Sequence, residues 1–506
     1  MNGLPQVNVQ AVVPTLYPAV GAMAVLVVEV LLAGRATFLG RPLTKGRVAN
    51  YLGVLSAVAL GLSVIAAAQS LVAGDSIPFD PESPMFRLDR FSSFAILVLG
   101  VGSMLGCLLS VNYLLELGIS HGEYYCLLLA ATTGMMFMVG AVDLLLVFVG
   151  LELMSIPIYV LAGFQRRNLR SNESALKYFL VGSFASAVLL YGMTLVYGAT
   201  GSLDYATIRG AIDPTSPLAL AGIALVIVGF AFKVSAVPFH QWTPDVYEGA
   251  PTAVTAYMSV TVKTAAFVAL LRFLTEAVGP PASAVANLPG LFAALAVLTF
   301  VVGNVMAVIQ SNVKRMLAYS SIAHGGYLLL GFVATTAEGY AAMLFYLLVY
   351  VFMNVGAFGV IVALANQGRD TDRFDDFAGL ARTRPGLAAL MTLFMVSLAG
   401  IPGTAGFMAK FGLFSAVVRA QHVGLAVLAV LASLISVYYY LRLPVLMYMR
   451  EPAGEAPRAE TDALEGIVLV ICAIAVLVLG FFPNLGIFLG ELRLLDLARA
   501  SVASLF

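Results

Sequence analysis

Apolar runs long enough to cross a bilayer as helix, roughly 18 to 25 residues each, recur along the whole chain between short polar or glycine- and proline-containing joints. Spans are predicted near residues 12–34, 48–73, 91–115, 123–141, 143–164, 173–199 and 217–239. Seven more are predicted near 252–278, 286–309, 316–336, 339–366, 386–418, 423–447 and 463–487. The every-second-residue alternation of a transmembrane β-barrel is not found. The expected fold is therefore all-α and polytopic, with about 14 transmembrane helices. The twelfth run is interrupted by "AGIPGTAGF", which predicts two half-helices, and residues 488–506 read as a short amphipathic tail lying at the interface.

Composition agrees with the pattern. Hydrophobic residues make up 61% of the 506 and charged residues only 11%, and the mean hydropathy is +0.96. The N-terminus, "MNGLPQVNVQAVVPTLYP", lacks a basic region and a small-residue cleavage site, so the first span reads as retained. Cys107, Cys126 and Cys472 are dispersed in or beside apolar runs without metal or disulfide spacing, as expected of small buried hydrophobes. Zero formal net charge and few basic clusters give no sign of nucleic-acid binding.

Charge then orients the spans. One set of alternate loops carries sixteen cations, from Arg35 and Arg41 through Arg166, Arg167, Arg170, Lys314 and Arg315 to Arg450 and Arg458. The opposite set holds seven: Arg87, Arg90, Arg209, Arg272, Arg419, Arg493 and Arg499. Cation-rich loops stay cytoplasmic, which puts both termini on the outer side. The remaining four of the 27 basic residues, Lys177, Lys233, Lys263 and Lys410, fall inside predicted spans.

All four are lysine, although the chain has twenty-one arginines and six lysines. A clamp or a fixed charge is served as well by arginine, which stays protonated. Lysine differs because burial pulls its pKa down, so it can release and regain a proton. Several deep ionisable groups in one membrane chain mark an ion or proton path. Lys177 lies four residues after Glu173 and has a second reading, a chain snorkelling to the headgroups. An acidic partner is available in Glu152, mid-span in "VFVGLELMSIPIYVL". Prolines inside spans strengthen the pattern, since each frees the carbonyl four residues earlier. Pro157, Pro238 and Pro402 are expected to free Leu153, Val234 and Leu398, and so to create hydratable spots beside Glu152 and Lys233. Lys233 lies on the seventh span and Lys410 on the twelfth. An odd offset of five reverses the orientation of a duplicated copy, as inverted repeats require.

Five stretches carry a resemblance: "GLELMSIPIYVLAGF", "NESALKYFLVGSFASA", "FKVSAVPFHQWTPDVYEGAPTAVTAYMSVTVKTAAF", "NVKRMLAYSSIAHGGY" and "GIPGTAGFMAKFGLF". They resemble the antiporter-like membrane subunits of respiratory complex I, a family shared with multi-subunit sodium/proton antiporters and membrane-bound hydrogenases, and look most like its subunit N branch. The resemblance implies two inverted five-helix repeats over helices 4–8 and 9–13, with helices 7 and 12 broken. It divides the chain into 1–122, 123–278, 279–447 and 448–506. It implies proton-transfer roles for Glu152, Lys177, Lys233, Lys263 and Lys410, and places His324 where the second half carries polar connecting groups, a position a hydrogen-bonded core histidine also fills. Asp143 and Glu29 are left as edge or packing charges. His240, Asp245 and Glu248 are either solvated loop charges or the lining of an entrance. No cysteine cluster, haem motif or nucleotide fingerprint occurs, so cofactors are expected only in partner subunits: NADH, flavin, iron–sulfur clusters and quinone. The expected partners are other membrane-arm subunits, the lipid bilayer, protons and water, and the expected place is a bacterial inner membrane.

Overall fold

The computed structural model describes residues 7–32, 37–38, 41–42, 44–213, 215–279, 287–365, 371–451, 462–484 and 493–505. The predicted cytoplasmic-loop cations Arg35, Arg369 and Arg458 lie outside them, as do residues 488–492 and 506 of the predicted tail. The helices run α1 (Val13–Leu32), α2 (Lys45–Ala73), α3 (Arg90–Glu116), α4 (Gly122–Gly140), α5 (Leu144–Ala162), α6 (Leu169–Thr200) and α7 (Tyr205–Ala211). They continue as α8 (Pro217–Lys233), α9 (Trp242–Gly249), α10 (Thr252–Arg272), α11 (Leu288–Val308), α12 (Val313–Ala334), α13 (Ala337–Leu364) and α14 (Leu380–Thr383). The chain ends with α15 (Pro385–Ala399), α16 (Ala405–Arg419), α17 (Val423–Met449), α18 (Ala463–Phe481) and α19 (Leu494–Ala503). Among the described residues twelve helices are long and apolar enough to cross a membrane, and α8 and α15 are shorter apolar helices. This is a polytopic helical membrane protein.

Local chemistry sets the ends. Asp143 accepts from the amides of Leu145 and Leu146 and starts α5. Asp89 and Ser92 form a reciprocal capping box on α3. Gly74 and Gly201, both at φ 73°, stop α2 and α6 in the left-handed conformation. Glu29 is a packing charge, its Oε1 accepting from the first amide of α4 at Gly122, 2.7 Å away.

Apolar side chains cover the outside as well as filling the core. α10, α12 and α13 are enclosed almost completely, whereas α6 and α17 leave most of their apolar surface outward. Leu169, Phe184 and Met449 are among the most exposed side chains. An apolar perimeter suits contact with lipid, and the deep charged groups lie enclosed within an apolar core.

Two apolar helices end early. α8 stops at Lys233, and an unwound stretch, 234–241, precedes α9; α15 stops at Ala399 before α16 begins at Ala405. The prolines therefore act differently from the expectation. Pro238 and Pro402 sit in the unwound joints, not inside helix, and Pro157 lies in the uninterrupted α5. The first break turns on Ser235, a non-glycine residue at φ 62°, a conformation that surrounding contacts must hold. They do: the Ser235 hydroxyl accepts from Thr243 Oγ1 at 2.7 Å, Val237 N donates to Thr299 Oγ1 at 2.9 Å, and Trp242 Nε1 donates to Phe232 O at 3.1 Å. The second break uses Gly400 and Gly403 at φ 84° and 87°, where a Cβ would be strained.

Candidate functional site

α5 presents Glu152, Ser155 and Tyr159 at helical spacing on the side facing the end of α8. Lys233, the last residue of α8 and 1% exposed, donates to Ser155 Oγ at 2.8 Å and Tyr159 OH at 3.4 Å. Glu152 makes no direct ion pair with it, although the two lie within electrostatic range. Ser155, one turn along α5 from Glu152, accepts from Lys233 and donates to the Leu151 carbonyl. Glu152 Oε1 is buried without a hydrogen-bond partner among the described residues.

Lys263, in the middle of α10 and 1% exposed, points at α12, where it donates to the carbonyl and the hydroxyl of Ser321, the latter at 2.6 Å. Lys410 reaches back across the second break, donating to Ala399 O at 2.9 Å and to Ser433 Oγ at 2.8 Å, with its ammonium 5.2 Å from the Tyr327 ring centre. Lys233 is the last residue of α8, and the Lys410 ammonium, carried on the second turn of α16, bonds the last carbonyl of α15, so each meets the C-terminal end of a half-helix, where the dipole favours a cation. Among the described residues, none of Lys233, Lys263 and Lys410 has a carboxylate in direct contact.

α12 gathers these groups. Ser320 and Ser321, His324 and Tyr327 follow at one-turn intervals, so Lys263, His324 and the ring beneath Lys410 share one helix side. His324 is 2% exposed, with Nδ1 at 2.7 Å from Tyr346 OH and Nε2 at 3.1 Å from Tyr440 OH; Lys410 and Lys263 are both within its electrostatic range. Gly325 marks where the first break touches this helix. A Cβ there would lie 3.0 Å from Val234 O and 3.7 Å from Lys263 Nζ.

Lys177 does not join this axis. Its side chain is 43% exposed and lies at one edge, paired with Glu173 at 2.6 Å and Asp245 at 2.7 Å. Asp245 also holds Arg315 at 2.6 Å, and Arg315 holds Glu248 at 2.9 Å. Asp245 and Glu248 are therefore network residues, not freely solvated loop charges. His240 sits in the unwound stretch with Nδ1 buried and unpartnered among the described residues.

Sequence reasoning missed two buried cations by assigning them to loops. Lys314, 1% exposed, donates to Ala250 O at 2.8 Å. Arg272, 0% exposed, closes α10 and grips both oxygens of Asp89 at 2.6 and 2.7 Å. It also missed the hydroxyl partners Ser155, Tyr159, Ser320, Ser321, Ser433 and Tyr440. Their available signal was polarity inside an apolar run, shared with many serines and tyrosines that only bond their own helix.

The family model described as NADH:quinone oxidoreductase/Mrp antiporter, transmembrane, matches residues 141–436. The NADH-quinone oxidoreductase subunit N of Trichlorobacter lovleyi is 43% identical over 483 residues, covering 95% of each chain. A chain of respiratory complex I from Thermus thermophilus superposes with a TM-score of 0.77 at 33% identity, covering 93% of this chain and 98% of that one. A chain of the Mrp complex from Dietzia sp. DQ12-45-1b shares the fold, with a TM-score of 0.83 at 22% identity over 98% of both. By sequence and fold together, the chain belongs to the NADH:quinone oxidoreductase/Mrp antiporter transmembrane family, on its NADH-quinone oxidoreductase subunit N branch.

Proposed function

We propose that this chain is a proton-translocating membrane-arm subunit of a bacterial NADH:quinone oxidoreductase, in which redox energy released in partner subunits drives protons along Glu152, Lys233, Lys263, His324 and Lys410. The observation that carries the reading is the placement of three nearly unexposed lysines on hydroxyl and carbonyl partners rather than on carboxylates. An amine so held has no anion fixing its charge, and enclosure disfavours the charged form. A change of charge at Glu152 reaches Lys233 through Ser155, and Lys233 passes its proton towards Lys263, His324 and Lys410. Buried unpartnered oxygens on Glu152, Tyr350 and Asn354 are the sites where internal waters bridge the gaps. Moving one charge against 100 mV costs about 2.3 kcal/mol, and a pKa change of two units supplies about 2.7 kcal/mol.

In this reading α8 with α9, and α15 with α16, are broken crossings seven and twelve of fourteen, within two inverted repeats. Both termini face the outside of the inner membrane. Lys177 works at the cytoplasmic edge with Asp245, and NADH, flavin, iron–sulfur clusters and quinone are held by partners. The test is Lys233→Arg in the assembled complex reconstituted into liposomes. Electron-driven pumping falls by on the order of a hundredfold, the contribution of a proton-transfer group; normal pumping with a permanent cation there ends the proposal. A second reading, a subunit of a cation/proton antiporter without an electron donor, draws on the fold shared with the Mrp chain. Sodium-dependent exchange by vesicles lacking the redox subunits would favour it.

A further inference from the structure

Lys233 ends α8 at the first break, and its ammonium is enclosed by aromatic rings. The Tyr159 ring centre lies 5.4 Å from Nζ, the Phe232 centre 5.5 Å and the Tyr178 centre 5.6 Å. The three rings come from α5, α8 and α6, and all are buried. Ser155 and Tyr159 accept two of the three N–H groups of the ammonium, and no described residue accepts the third. The rings brace one another. Tyr159 meets Tyr178 edge-on with centres 4.7 Å apart, Tyr178 stacks on Trp242 at 4.3 Å, and Phe232 lies tilted on Trp242 at 5.3 Å. Trp242 Nε1 also donates to the Phe232 carbonyl at 3.1 Å. Trp242 is buried and belongs to α9. The half-helix after the unwound stretch therefore supports two of the three rings around the last residue of the half-helix before it. The other amines of the axis lack this setting: Lys410 has one ring, Tyr327, at 5.2 Å, and Lys263 has none among the described residues.

We propose that Tyr159, Tyr178 and Phe232 form an aromatic cage that holds the Lys233 ammonium, and that Trp242 is the positioning residue that keeps the cage closed. The inference rests on the function proposed above, in which Lys233 takes up and releases a proton. A ring face is electron-rich and attracts a cation, more strongly where water is excluded; a neutral amine gains little from it. The cage thus favours the loaded amine, the task that a carboxylate in direct contact would otherwise perform. It does so without a fixed anion, so the proton can leave without stranding a bare negative charge in the core. The hold depends on how the rings face the amine, and that geometry depends on α9. Drawing Trp242 away would release Tyr178 and Phe232 together. The seating of α9 is thereby coupled to the charge of Lys233.

Fluorine separates this role from packing, because it withdraws electrons from a ring face while nearly keeping the ring's size. Phe232 is replaced by phenylalanines carrying successively more fluorines, in assembled complexes in liposomes, and the rate of NADH-driven proton pumping is measured beside Lys233→Ala. The expected result is a graded loss, on the order of tenfold across the series, in line with one desolvated cation–ring contact. Tyr178→Leu should lose pumping and Tyr178→Phe, which keeps the ring, should restore it. Trp242→Leu should lower pumping and flatten the fluorine series, since Phe232 is no longer held on the amine. If Trp242→Leu fails to assemble, Trp242→Phe, which loses the Nε1 donor, carries the same prediction with a shallower slope. A merely structural role leaves the fluorine series flat. A flat or rising series beside an inactive Lys233→Ala overturns the cage and leaves the lysine path standing. A falling series whose slope the Trp242 variants do not change overturns the part given to Trp242. Wild-type pumping by Lys233→Ala overturns the underlying reading instead.

Discussion

At the residue scale, each buried amine is defined by what it lacks as much as by what it touches. Lys233 has Ser155 at 2.8 Å and Tyr159 at 3.4 Å, so Ser155→Ala leaves it with one long hydrogen bond. Losing a buried partner of a charged donor costs about 1–3 kcal/mol. The expected outcome is a lower thermal midpoint for the assembled complex together with slowed pumping, while Ser436→Ala, which loses only a bond to the carbonyl of Ser433 on its own helix, slows pumping far less. Gly325 is the second sensitive residue. Its α-carbon lies where the Val234 carbonyl and the Lys263 amine converge, and a methyl group 3.0 Å from that carbonyl must displace backbone or amine. Overpacking of this kind costs about 1–3 kcal/mol. Gly325→Ala is expected to depress both stability and pumping, whereas Gly412→Ala, whose methyl meets only Ala342 at 3.7 Å, leaves both near wild type. Equal behaviour of the two variants in melting and transport assays would remove Gly325 from the site.

At the element scale, the helix that carries Lys263 is anchored at its C-terminal end. Arg272 closes α10, is wholly enclosed, and binds Asp89, the cap of α3; Asp89 also accepts from Arg87, and Arg87 binds Glu276 at 2.5 Å. A π turn, Phe273–Val278, continues α10 beyond Arg272 and brings Glu276 beside this cluster. Burial pushes the Asp89 carboxyl up, yet Arg272 and Arg87 with the Ser92 amide prevail and hold it below the usual carboxylate value. A depressed carboxylate contributes stability that is fully present above its ordinary value, 3.8, and is lost as pH falls through the lower folded value. Stability from this anchor is therefore flat across the physiological range. Removing one partner of a buried pair costs about 3–5 kcal/mol, while removing both together costs far less. Arg272→Met should destabilise strongly in thermal melts, and adding Asp89→Asn should recover part of the loss. If the double variant is no better than the single one, the two side chains are not coupled.

At the scale of the whole molecule, the buried axis runs among the enclosed helices and meets an ion-pair network at one edge. That network ties α6, α9 and α12 through Lys177, Asp245 and Arg315. The chain has a single tryptophan, Trp242, one turn before Asp245 in α9 and stacked on Tyr178 of α6 at 4.3 Å. Its fluorescence in the detergent-purified chain reports whether α9 stays seated. Asp245→Asn removes the anion shared by Lys177 and Arg315, so its emission should shift and its salt sensitivity fall. Unchanged emission would mean that packing alone seats α9. Hydropathy was enough to read the polytopic helical class, because crossing hydrocarbon demands apolar stretches of a set length. Lysine against arginine usage likewise singled out Lys233, Lys263 and Lys410, since deep charges are too costly to be incidental. The sequence left Lys177 with two readings, and the structure has it half-exposed and paired; it misassigned Arg272 and Lys314, buried although their positions read as loops. Helix packing, not local hydropathy, sets the depth of a side chain near a helix end. Pro238 and Pro402 announced interruptions, but whether each lies within a helix or between two depends on contacts such as Thr299 to Val237. By itself, then, the sequence determined the class of fold and three of the cations that sit deep in it, Lys233, Lys263 and Lys410. The tertiary structure alone decided that hydroxyls and carbonyls from other helices, not carboxylates, receive those amines, because hydrogen-bond partners 11 to 78 residues away along the chain are chosen by packing and leave no local pattern.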